Sequence, residues 1–401
     1  MHSFAIVGAG ILGLATCLKI RERFPDASIV VLEKESDFAA HQSSHNSGVI
    51  HSGIYYKPGS QKSRFARAAS QSMTAFCQAH DVNHRICGKL IVARDNEELK
   101  RLDVSYDNGR RSGLRVEKLS SEEVRGHEPH ARVHGGLFVP EAGIVDYKDV
   151  CRKLVDRLKN LGVEFRYREE VRALKEERGH LGVFTRENSY KVGMLINCAG
   201  LHSDSVALMQ GLSAARKQFQ VVPFRGDFYT LKASRAHLVK GLIYPVPNPK
   251  YPFLGVHLGR LISDKVEVGP NAALNFSREG YDRSIVSREL ARTLAFPGFW
   301  KMAGNYWKEG VAEIWRSYNK QAFLRAAQRY VPEIQLDDLD TVHAGIRAQT
   351  LSRAGRMLDD FEVLTGYRSV HLINAPSPAA TCSFEIAGFI VDRVARHRAE
   401  H

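Results

Sequence analysis

The chain has 401 residues, of which 44% are hydrophobic and 25% are charged, and its formal net charge is +13. This length and composition predict a soluble α/β protein with a large core shared by two lobes. No stretch of about 18 apolar residues occurs, which excludes a membrane-spanning helix. The six cysteines include no C-x-x-C pair, so the sequence indicates neither a zinc site nor a disulfide framework.

The positive charge is compatible with an acidic partner. The net charge alone does not distinguish among anionic lipid, nucleic acid and an acidic substrate. Basic proteins without such a partner are also common. No nucleic-acid-binding motif is present, so no nucleic-acid partner is expected. An apolar strand pattern follows Met1 almost at once, without the features of a signal or transit peptide. The sequence therefore predicts a cytoplasmic protein, with a peripheral position on the inner face of a membrane as the alternative.

The first 33 residues predict a strand, a tight turn, a helix and a second strand. The apolar run 3–7 is followed by Gly8, Gly10 and Gly13, and the second strand ends at Glu33. This spacing, between a strand and a helix, is typical of a dinucleotide-binding turn. Gly8 permits the turn, Gly10 lets the backbone approach a pyrophosphate, and Gly13 lets the helix pack closely on the strand. Glu33 would bind ribose hydroxyls and disfavours NADP, because a carboxylate repels a 2′-phosphate.

The rest of the chain alternates between helices and strands, without an internal repeat or a low-complexity linker. We infer two interleaved domains, each built from discontinuous segments, with the site at their interface. The patterns predict helices over 63–80 and 147–161, strands over 89–93, 135–139, 164–167, 171–175, 181–185 and 194–197, mainly strands from 219 to 269, helices from 287 to 330, and a strand–strand–helix ending from 346 to 398.

Residues 41–56 are dense in small and polar side chains directly after the second strand. Such a segment, with its exposed amide donors, suits a position beside the pyrophosphate and ring system of a bound flavin. Here the sequence resembles the L-2-hydroxyglutarate dehydrogenase/oxidase family of D-amino-acid-oxidase-like FAD oxidoreductases, over nearly the whole chain. Residues 282–325 are not diagnostic. The resemblance is carried by residues 45–51, 55–60, 222–226, 252–258, 268–272, 344–349 and 374–381.

The resemblance implies an α/β fold in which a Rossmann-like FAD-binding domain is interleaved with a mixed-sheet substrate domain. The FAD-binding domain would comprise residues 1–85, 145–215 and 335–401. The substrate-binding domain would comprise residues 86–144 and 216–334, with a helical insertion near 285–330.

The cofactor implied by the resemblance is FAD. Pro378–Thr381 would open the last helix, with backbone amides facing the flavin pyrimidine carbonyl, where negative charge collects when the flavin is reduced. Some relatives attach the flavin covalently through a histidine in the segment that corresponds to residues 41–56. A covalent bond to His45 is therefore an alternative. The residues expected to hold FAD are Gly8, Gly10, Gly13, Glu33, Lys34, Ser44, His45, Asn46, Ser47, Gly48, Val171, Ala199, Gly200, Gly345, Ser377, Pro378, Ala379, Ala380 and Thr381.

The implied reaction is oxidation of L-2-hydroxyglutarate to 2-oxoglutarate by hydride transfer to flavin N5. It needs a base for the hydroxyl proton, and histidine has a suitable unperturbed pKa. Among 17 histidines, His257 is preferred as the base and His51 as a substrate-orienting group or second base. The competing interpretation is that both are ordinary packed or surface histidines.

A small dicarboxylate substrate also needs cations, and a guanidinium matches a carboxylate in a bidentate manner. Arg225 and Arg347 are the candidates, because each lies in an apolar strand flanked by glycine. Solvated edge positions are the competing interpretation. Tyr55 and Tyr56 would donate hydroxyls to the substrate, unless they serve only in packing.

Two other functions are weighed against this one. An enzyme of the same superfamily could act on an amine such as glycine or sarcosine, but the diacid-family motifs argue against it. A flavin-containing nucleic-acid-binding protein would use the net charge, but no motif supports it.

Aromatic and basic residues alternate between 296 and 330, as in a helix that lies in a membrane interface. This predicts contact with an anionic membrane, where a quinone could serve as the electron acceptor, although other acceptors stay open. A helix pair that packs on its own domain is the competing interpretation. The residues are Phe299, Trp300, Tyr306, Trp307, Trp315, Tyr318 and Phe323, with Lys301, Lys308, Arg316, Lys320 and Arg325.

Overall fold

The computed structural model describes residues 1–212, 218–248 and 254–400. Pro252 and Phe253 of one family motif, and the predicted domain boundary between residues 215 and 216, lie outside the described residues. The strands are β1 (His2–Val7), β2 (Ile29–Leu32), β3 (Val49–Ile50), β4 (His84–Ile86), β5 (Lys89–Ala93), β6 (Glu117–Ser120), β7 (Gly135–Val139), β8 (Gly143–Val145), β9 (Glu164–Arg166), β10 (Ala173–Glu177), β11 (His180–Phe184), β12 (Ser189–Asn197), β13 (Phe219–Leu231), β14 (Leu242–Pro245), β15 (His257–Arg260), β16 (Val266–Gly269), β17 (Ala273–Leu274), β18 (Leu339–Ser352), β19 (Glu362–Gly366) and β20 (Ser369–Asn374).

The α-helices cover the sheets that these strands form. They are α1 (Ile11–Arg23), α2 (Gln61–Ala79), α3 (Asn96–Arg111), α4 (Ser121–His127), α5 (Tyr147–Asn160), α6 (Ser203–Met209), α7 (Ser287–Leu294), α8 (Pro297–Tyr318), α9 (Lys320–Gln328) and α10 (Ser383–Glu400).

The first sheet has a parallel centre in the order β9-β2-β1-β12-β20. Strand β2 is buried along its whole length, as expected for a parallel strand covered on both faces. The antiparallel strands β10, β11 and β19 extend this sheet. Leu14 of α1, Leu154 of α5 and Ile390 of α10 belong to one core cluster beneath it. This arrangement places the turn after β1 at the carboxyl edge of the parallel strands, where α/β proteins bind ligands.

The second sheet is mixed, with the order β17-β13-β16-β15-β14-β5-β7-β6, and β18 pairs with β13. Strands β14 and β5 run parallel, and the other pairings in this sheet are antiparallel. Phe323 and Leu324 of α9 pack in its core. Strand β18 pairs with β13 from Ser352 to Leu339, although the predicted boundaries place residues 335–401 with the FAD-binding domain.

The last helix begins later than expected. Strands β19 and β20 precede it as predicted, but residues 378–382 form turns and α10 begins at Ser383. The prediction that Pro378–Thr381 open this helix is therefore corrected by a few residues. None of the described helices is long and apolar enough to cross a membrane.

Candidate active site

The turn between β1 and α1 requires glycine. Gly8 has φ +101°, and a Cβ there would lie 2.7 Å from the carbonyl oxygen of Cys198. A Cβ on Gly13 would lie 2.0 Å from the carbonyl oxygen of Gly8, so the helix approaches the turn too closely for a side chain. Gly10 has no side chain that could cap α1, and the first turn contains no acidic residue. Ser43 Oγ accepts a hydrogen bond from the amide of Ile11 at 2.9 Å, but it adds no negative charge, so the helix dipole still attracts a phosphate.

An open cleft with about 1210 Å³ of empty space adjoins this turn. At its edge, Glu33 accepts hydrogen bonds from the amides of Ala9, at 2.7 Å, and Glu35, at 3.0 Å. Sequence reasoning placed Gly8, Gly10, Glu33, Lys34, Val171, Ala199, Gly200, Ala379 and Ala380 at the cofactor, and all nine line this cleft. His41, Gln42, Ser43 and Ala375, which line it as well, lie in segments 41–56 and 374–381 that the sequence analysis singled out without naming these residues as contacts. Leu201, His202 and Glu279 also line the cleft and were not identified.

Other predicted cofactor residues support the cleft without lining it. Asn46 fixes the loop that precedes β3, because its Nδ2 donates to the carbonyls of Gln42 and Ser43 and its Oδ1 accepts from the amide of Gly48. Thr381 Oγ1 lies 2.7 Å from the hydroxyl of Tyr147 and accepts from the amide of His51 at 3.2 Å. The remaining members outside the cleft lining are Gly13, Ser44, His45, Ser47, Gly345, Ser377 and Pro378.

The ring of His45 is held in place by the loop. Its Nδ1 lies 2.9 Å from the carbonyl oxygen of His41, so Nδ1–H donates, and the ring lies 4.4 Å from that of Tyr281.

A charged cluster lies at the rim of the cleft. Lys34 Nζ contacts Glu279 at 2.7 Å and His41 Nε2 at 3.0 Å, and it also contacts Glu35. Burial of Glu279 acts to raise its pKa, but hydrogen bonds from His202 and Lys34 outweigh it and lower the pKa to about 2. Glu35, His41 and Glu279 could together ligate a metal ion, but the ammonium of Lys34 already contacts all three. The cluster is therefore a closed ionic network.

One face of the second sheet carries the catalytic candidates. Paired residues in register project from the same side of a sheet, and side chains alternate along each strand. The pairings Phe224↔Arg347 and His257↔Gly269 place Arg347 and His257 on the same face, which also carries Tyr244. The rings of Tyr244 and His257 stack with 3.9 Å between centroids. We call this side of the sheet the site face.

His257 is oriented so that one ring nitrogen can accept a proton. Its Nδ1 lies 3.1 Å from the carbonyl oxygen of Gly255. A carbonyl can only accept, so Nδ1 carries the hydrogen and Nε2 of the neutral ring keeps its lone pair. Burial is the main cause that lowers the pKa of His257 to about 3, and the positive charges of Arg347 and Lys89 contribute. The ring is therefore neutral at neutral pH.

His51 lies close to His257. Burial is the main cause that lowers the pKa of His51 to about 3, and the charges of Lys89 and His257 contribute. Its backbone amide bonds to Thr381, which connects it to the segment predicted to face the flavin. The structure thus brings the two predicted histidines together.

Lys89 is a member of this cluster that sequence reasoning missed. The side chain is 1% exposed, and Nζ lies 4.4 Å from the ring centroid of Tyr55 and 4.9 Å from that of Tyr244. Burial lowers its pKa to about 7. The signal in the sequence was a lysine that opens an otherwise apolar strand, directly after Gly88.

The two predicted arginines lie on opposite faces. Arg225 neighbours Phe224 along β13, so it projects away from the site face. It is buried, its Nε donates to Asp227 at 2.6 Å, and its NH1 donates to the carbonyls of Gly280 and Tyr281. The structure therefore does not bring Arg225 to the histidines. Arg347 NH1 donates to the carbonyl of Asn271 at 3.0 Å, and burial lowers the pKa of Arg347 to about 10.

The predicted tyrosines lie at the edge of the cluster. The ring of Tyr55 packs against Lys89. Burial raises the pKa of Tyr56 well above its usual value, and Ser377 is a hydrogen-bond partner that acts in the opposite direction. Both hydroxyls therefore stay protonated and remain hydrogen-bond donors.

Comparison with known proteins gives the family. The family model for FAD dependent oxidoreductases matches residues 3–382. The L-2-hydroxyglutarate dehydrogenase of Indibacter alkaliphilus is 42% identical over 96% of this chain and 97% of the relative. That of Escherichia coli K12 is 40% identical over 98% and 93%, and the human mitochondrial one is 36% identical over 97% and 88%. This chain belongs to the L-2-hydroxyglutarate dehydrogenase family of FAD-dependent oxidoreductases.

Solved structures confirm the predicted fold. Dithionite-reduced L-α-glycerophosphate oxidase from Mycoplasma pneumoniae with FAD bound has a TM-score of 0.80 at 20% identity, and the match covers 98% of this chain and 94% of that one. Glycine oxidase from Geobacillus kaustophilus has a TM-score of 0.75 at 16% identity, with 99% and 95% covered. This chain therefore shares the overall fold of these two oxidases.

The cleft fits FAD, the cofactor of the family. A Cβ on Gly10 would lie 3.2 Å from Ser43 Oγ, so the missing side chain keeps the cleft open beside the start of α1. The cleft extends from Glu33 to Ala379 and Ala380. One end thus offers a carboxylate for ribose hydroxyls, and the other is the segment expected at the flavin.

Proposed function

We propose that this chain oxidises L-2-hydroxyglutarate to 2-oxoglutarate with FAD as its cofactor. The observation that carries the proposal is the path of residues 41–49. His41 and Ser43 line the cofactor cleft, whereas Ser47 and Val49 line a small cavity that also contains His257. The cofactor site and the proton acceptor therefore lie at two ends of one short segment, as a hydroxy-acid oxidation requires. The curated relatives are named for the same reaction.

Arg347 is the cation for the carboxylate next to the reacting carbon. Its strand touches the loop that lines the cofactor cleft: a Cβ on Gly345 would lie 2.5 Å from the carbonyl of His45, and the amide of Ala348 donates to Gln42 Oε1 at 3.2 Å. A carboxylate held by Arg347 therefore lies between the cofactor loop and His257. The guanidinium offers a bidentate contact that fixes the orientation of the substrate carbon.

His257 Nε2 is the proposed acceptor of the hydroxyl proton. FAD, when bound, accepts the hydride from the substrate carbon. The bound carboxylate offsets the positive charge of Arg347, which is one cause of the low pKa of His257. Substrate binding therefore raises the pKa of His257 toward the range in which a general base is effective. His51 lies beside it as an orienting group, and the burial of the His257 ring limits the access of water to the proton transfer.

Anaerobic reduction of the purified flavoprotein tests this function. We expect L-2-hydroxyglutarate to bleach the flavin absorbance and the D-enantiomer not to do so, because a fixed carboxylate presents only one face of the substrate carbon. Glycine and sarcosine test an amine oxidase. Equal reduction by both enantiomers, or reduction by an amine alone, would contradict the assignment.

We further propose that helix α8 contacts an anionic membrane surface, where a quinone would reoxidise the flavin. Trp307, Val311, Trp315 and Tyr318 are spaced by four, four and three residues, so they form one stripe along the helix, and each is more than half exposed. The aromatic residues predicted for this surface include both buried and exposed side chains. Phe299 and Phe323 belong to buried clusters, whereas Trp300 joins the exposed group.

The basic residues of this surface separate in the same way. Lys301 and Lys308 are exposed, whereas Arg316 is paired with Glu313. Rings at the level of the lipid headgroups and cations on anionic lipid are the features of an interfacial helix. Lys301 and Lys308 are therefore the proposed lipid contacts.

A further inference from the structure

Lys89 carries a buried charge without a balancing carboxylate. Its side chain is 1% exposed, and no Asp or Glu of the described part of the chain forms an ion pair with it, in contrast to the buried Lys62, which pairs with Asp359 at 2.8 Å. Removing an ammonium from water without a counter-ion is destabilising. The faces of two tyrosine rings offset only part of this cost. An anion that binds next to Lys89 would supply the missing partner.

Lys89 lies on the same surface as the reaction groups. Strand alternation places it on the site face, because Ile91 pairs with Tyr244 and Lys89 lies two residues before Ile91. The ring of Tyr244 lies against both Lys89 Nζ and the ring of His257, at centroid distances of 4.9 Å and 3.9 Å. The Tyr244 ring therefore contacts both Lys89 and His257, which lie on adjoining parts of the same surface.

Two cations flank His257 from different strands. Arg347 lies on β18, which touches the cofactor loop through Gly345 and Ala348. Lys89 lies on β5, whose partners in the sheet are β14 and β7. A five-carbon diacid has one carboxylate on its reacting carbon and one three carbons further along. The carboxylate at the reacting carbon belongs next to the cofactor, at Arg347, which leaves Lys89 for the other.

We propose that Lys89 binds the distal carboxylate of the substrate and makes this enzyme selective for diacids. The inference rests on the proposed oxidation of L-2-hydroxyglutarate, and it adds the residue that distinguishes this substrate from a monocarboxylic 2-hydroxy acid. Burial lowers the pKa of Lys89 to about 7, so the carboxylate also stabilises the protonated form near neutral pH. The tyrosine rings of Tyr55 and Tyr244 hold the ammonium in place between substrate turnovers.

The test compares two substrates that differ only at the distal end, L-2-hydroxyglutarate and L-2-hydroxypentanoate. In the wild-type enzyme we expect a much higher kcat/KM for the diacid. Lys89→Met should lower kcat/KM for the diacid by about 10²-fold or more, mainly through KM, because a buried charge loses its partner. The value for L-2-hydroxypentanoate should fall far less, since that substrate makes no contact with the charge, and the effect of the lost charge on the pKa of His257 is common to both substrates. Lys89→Arg should restore part of the preference for the diacid.

Lys118→Met is the matched control. Lys118 also lies over a tyrosine ring, at 4.6 Å from Tyr106, but it is exposed and paired with Asp103 at 2.6 Å. Folding is checked by melting temperature, and removing the unpaired ammonium should raise it. An equal loss with both substrates in Lys89→Met would overturn the proposal, as would an unchanged preference for the diacid. Failure of the wild-type enzyme to oxidise the diacid would instead contradict the proposed function.

Discussion

A single backbone carbonyl determines which nitrogen of His257 is available. The oxygen of Gly255 accepts a hydrogen bond from Nδ1–H, which leaves Nε2 to accept a proton from a substrate hydroxyl. The ring cannot turn freely, because it is buried and stacked on Tyr244. Among the described contacts, no backbone carbonyl accepts a hydrogen bond from the ring of His51. Its hydrogen bond to Thr381 is made by its backbone amide. The structure thus supports His257 over His51 as the proposed base.

Arg225 and Arg347 form a natural pair for comparison, because they lie on neighbouring strands but on opposite faces. Arg347→Met should lower kcat/KM by about 10²-fold for L-2-hydroxyglutarate and for L-2-hydroxypentanoate alike, because both have a carboxylate on the reacting carbon. Arg225→Met should leave KM within about threefold of wild type. It should instead lower the melting temperature, since it leaves the buried Asp227 without its closest cation.

Steady-state kinetics with both substrates and thermal unfolding of both variants check this prediction. If KM rises as much for Arg225→Met as for Arg347→Met, then Arg225 does contact the substrate and the prediction is wrong. A loss for Arg347→Met that is restricted to the diacid would exchange the roles proposed for Arg347 and Lys89.

At the scale of single elements, one part of α8 is packed against the protein and the other part is exposed to solvent. Its N-terminal part packs through Phe299 and Met302 against Val222 and Phe224 of β13. The helix changes direction at Tyr306, where φ and ψ leave the helical range, and the exposed stripe continues beyond this kink. Contiguous exposed apolar surface of this kind is typical of an interaction site.

Cosedimentation with liposomes tests the proposed membrane contact. We expect binding to vesicles of phosphatidylcholine and phosphatidylglycerol in a 1:1 ratio at low salt, and release at high salt. Replacing Lys301 and Lys308 by Gln should weaken binding by about tenfold or more, at about 1 kcal/mol for each cation. The same substitution of Lys159 and Lys191, which are exposed elsewhere, removes equal charge and should have a smaller effect. Protein that stays in the supernatant at low salt would refute the contact and favour a soluble acceptor.

At the scale of the whole molecule, features set by local chemistry could be predicted from the sequence. The glycine turn after β1 depends on backbone conformations within a few residues, and Gly8, Gly10 and Gly13 occupy the positions that the turn requires. The apolar run 89–93 predicted β5 with its observed bounds. The family resemblance gave the fold, the cofactor and the reaction, which the comparisons support.

Features that depend on strand register could not be predicted in this way. The face to which Arg225 projects depends on the pairing of β13 with β18, whose paired residues lie more than 100 positions apart in the chain. The same pairing places β18, which lies in the range predicted for the FAD-binding domain, in the second sheet. Lys89 was missed because its lack of a counter-ion is visible only when the neighbouring strands are in place. The assignment of individual site residues to roles remains a prediction.

In the proposed reaction, the substrate binds at the site face beside the FAD cleft, and His257 accepts the hydroxyl proton as the substrate is oxidised. Single-turnover reduction of the flavin in His257→Gln under anaerobic conditions tests it most directly, with His237→Gln, an exposed histidine near the same sheet, as the matched control. We expect His257→Gln to keep the oxidised flavin spectrum and to be reduced by L-2-hydroxyglutarate about 10²-fold or more slowly than wild type. His237→Gln should be reduced at the wild-type rate. Reduction of His257→Gln within about threefold of the wild-type rate would contradict the claim.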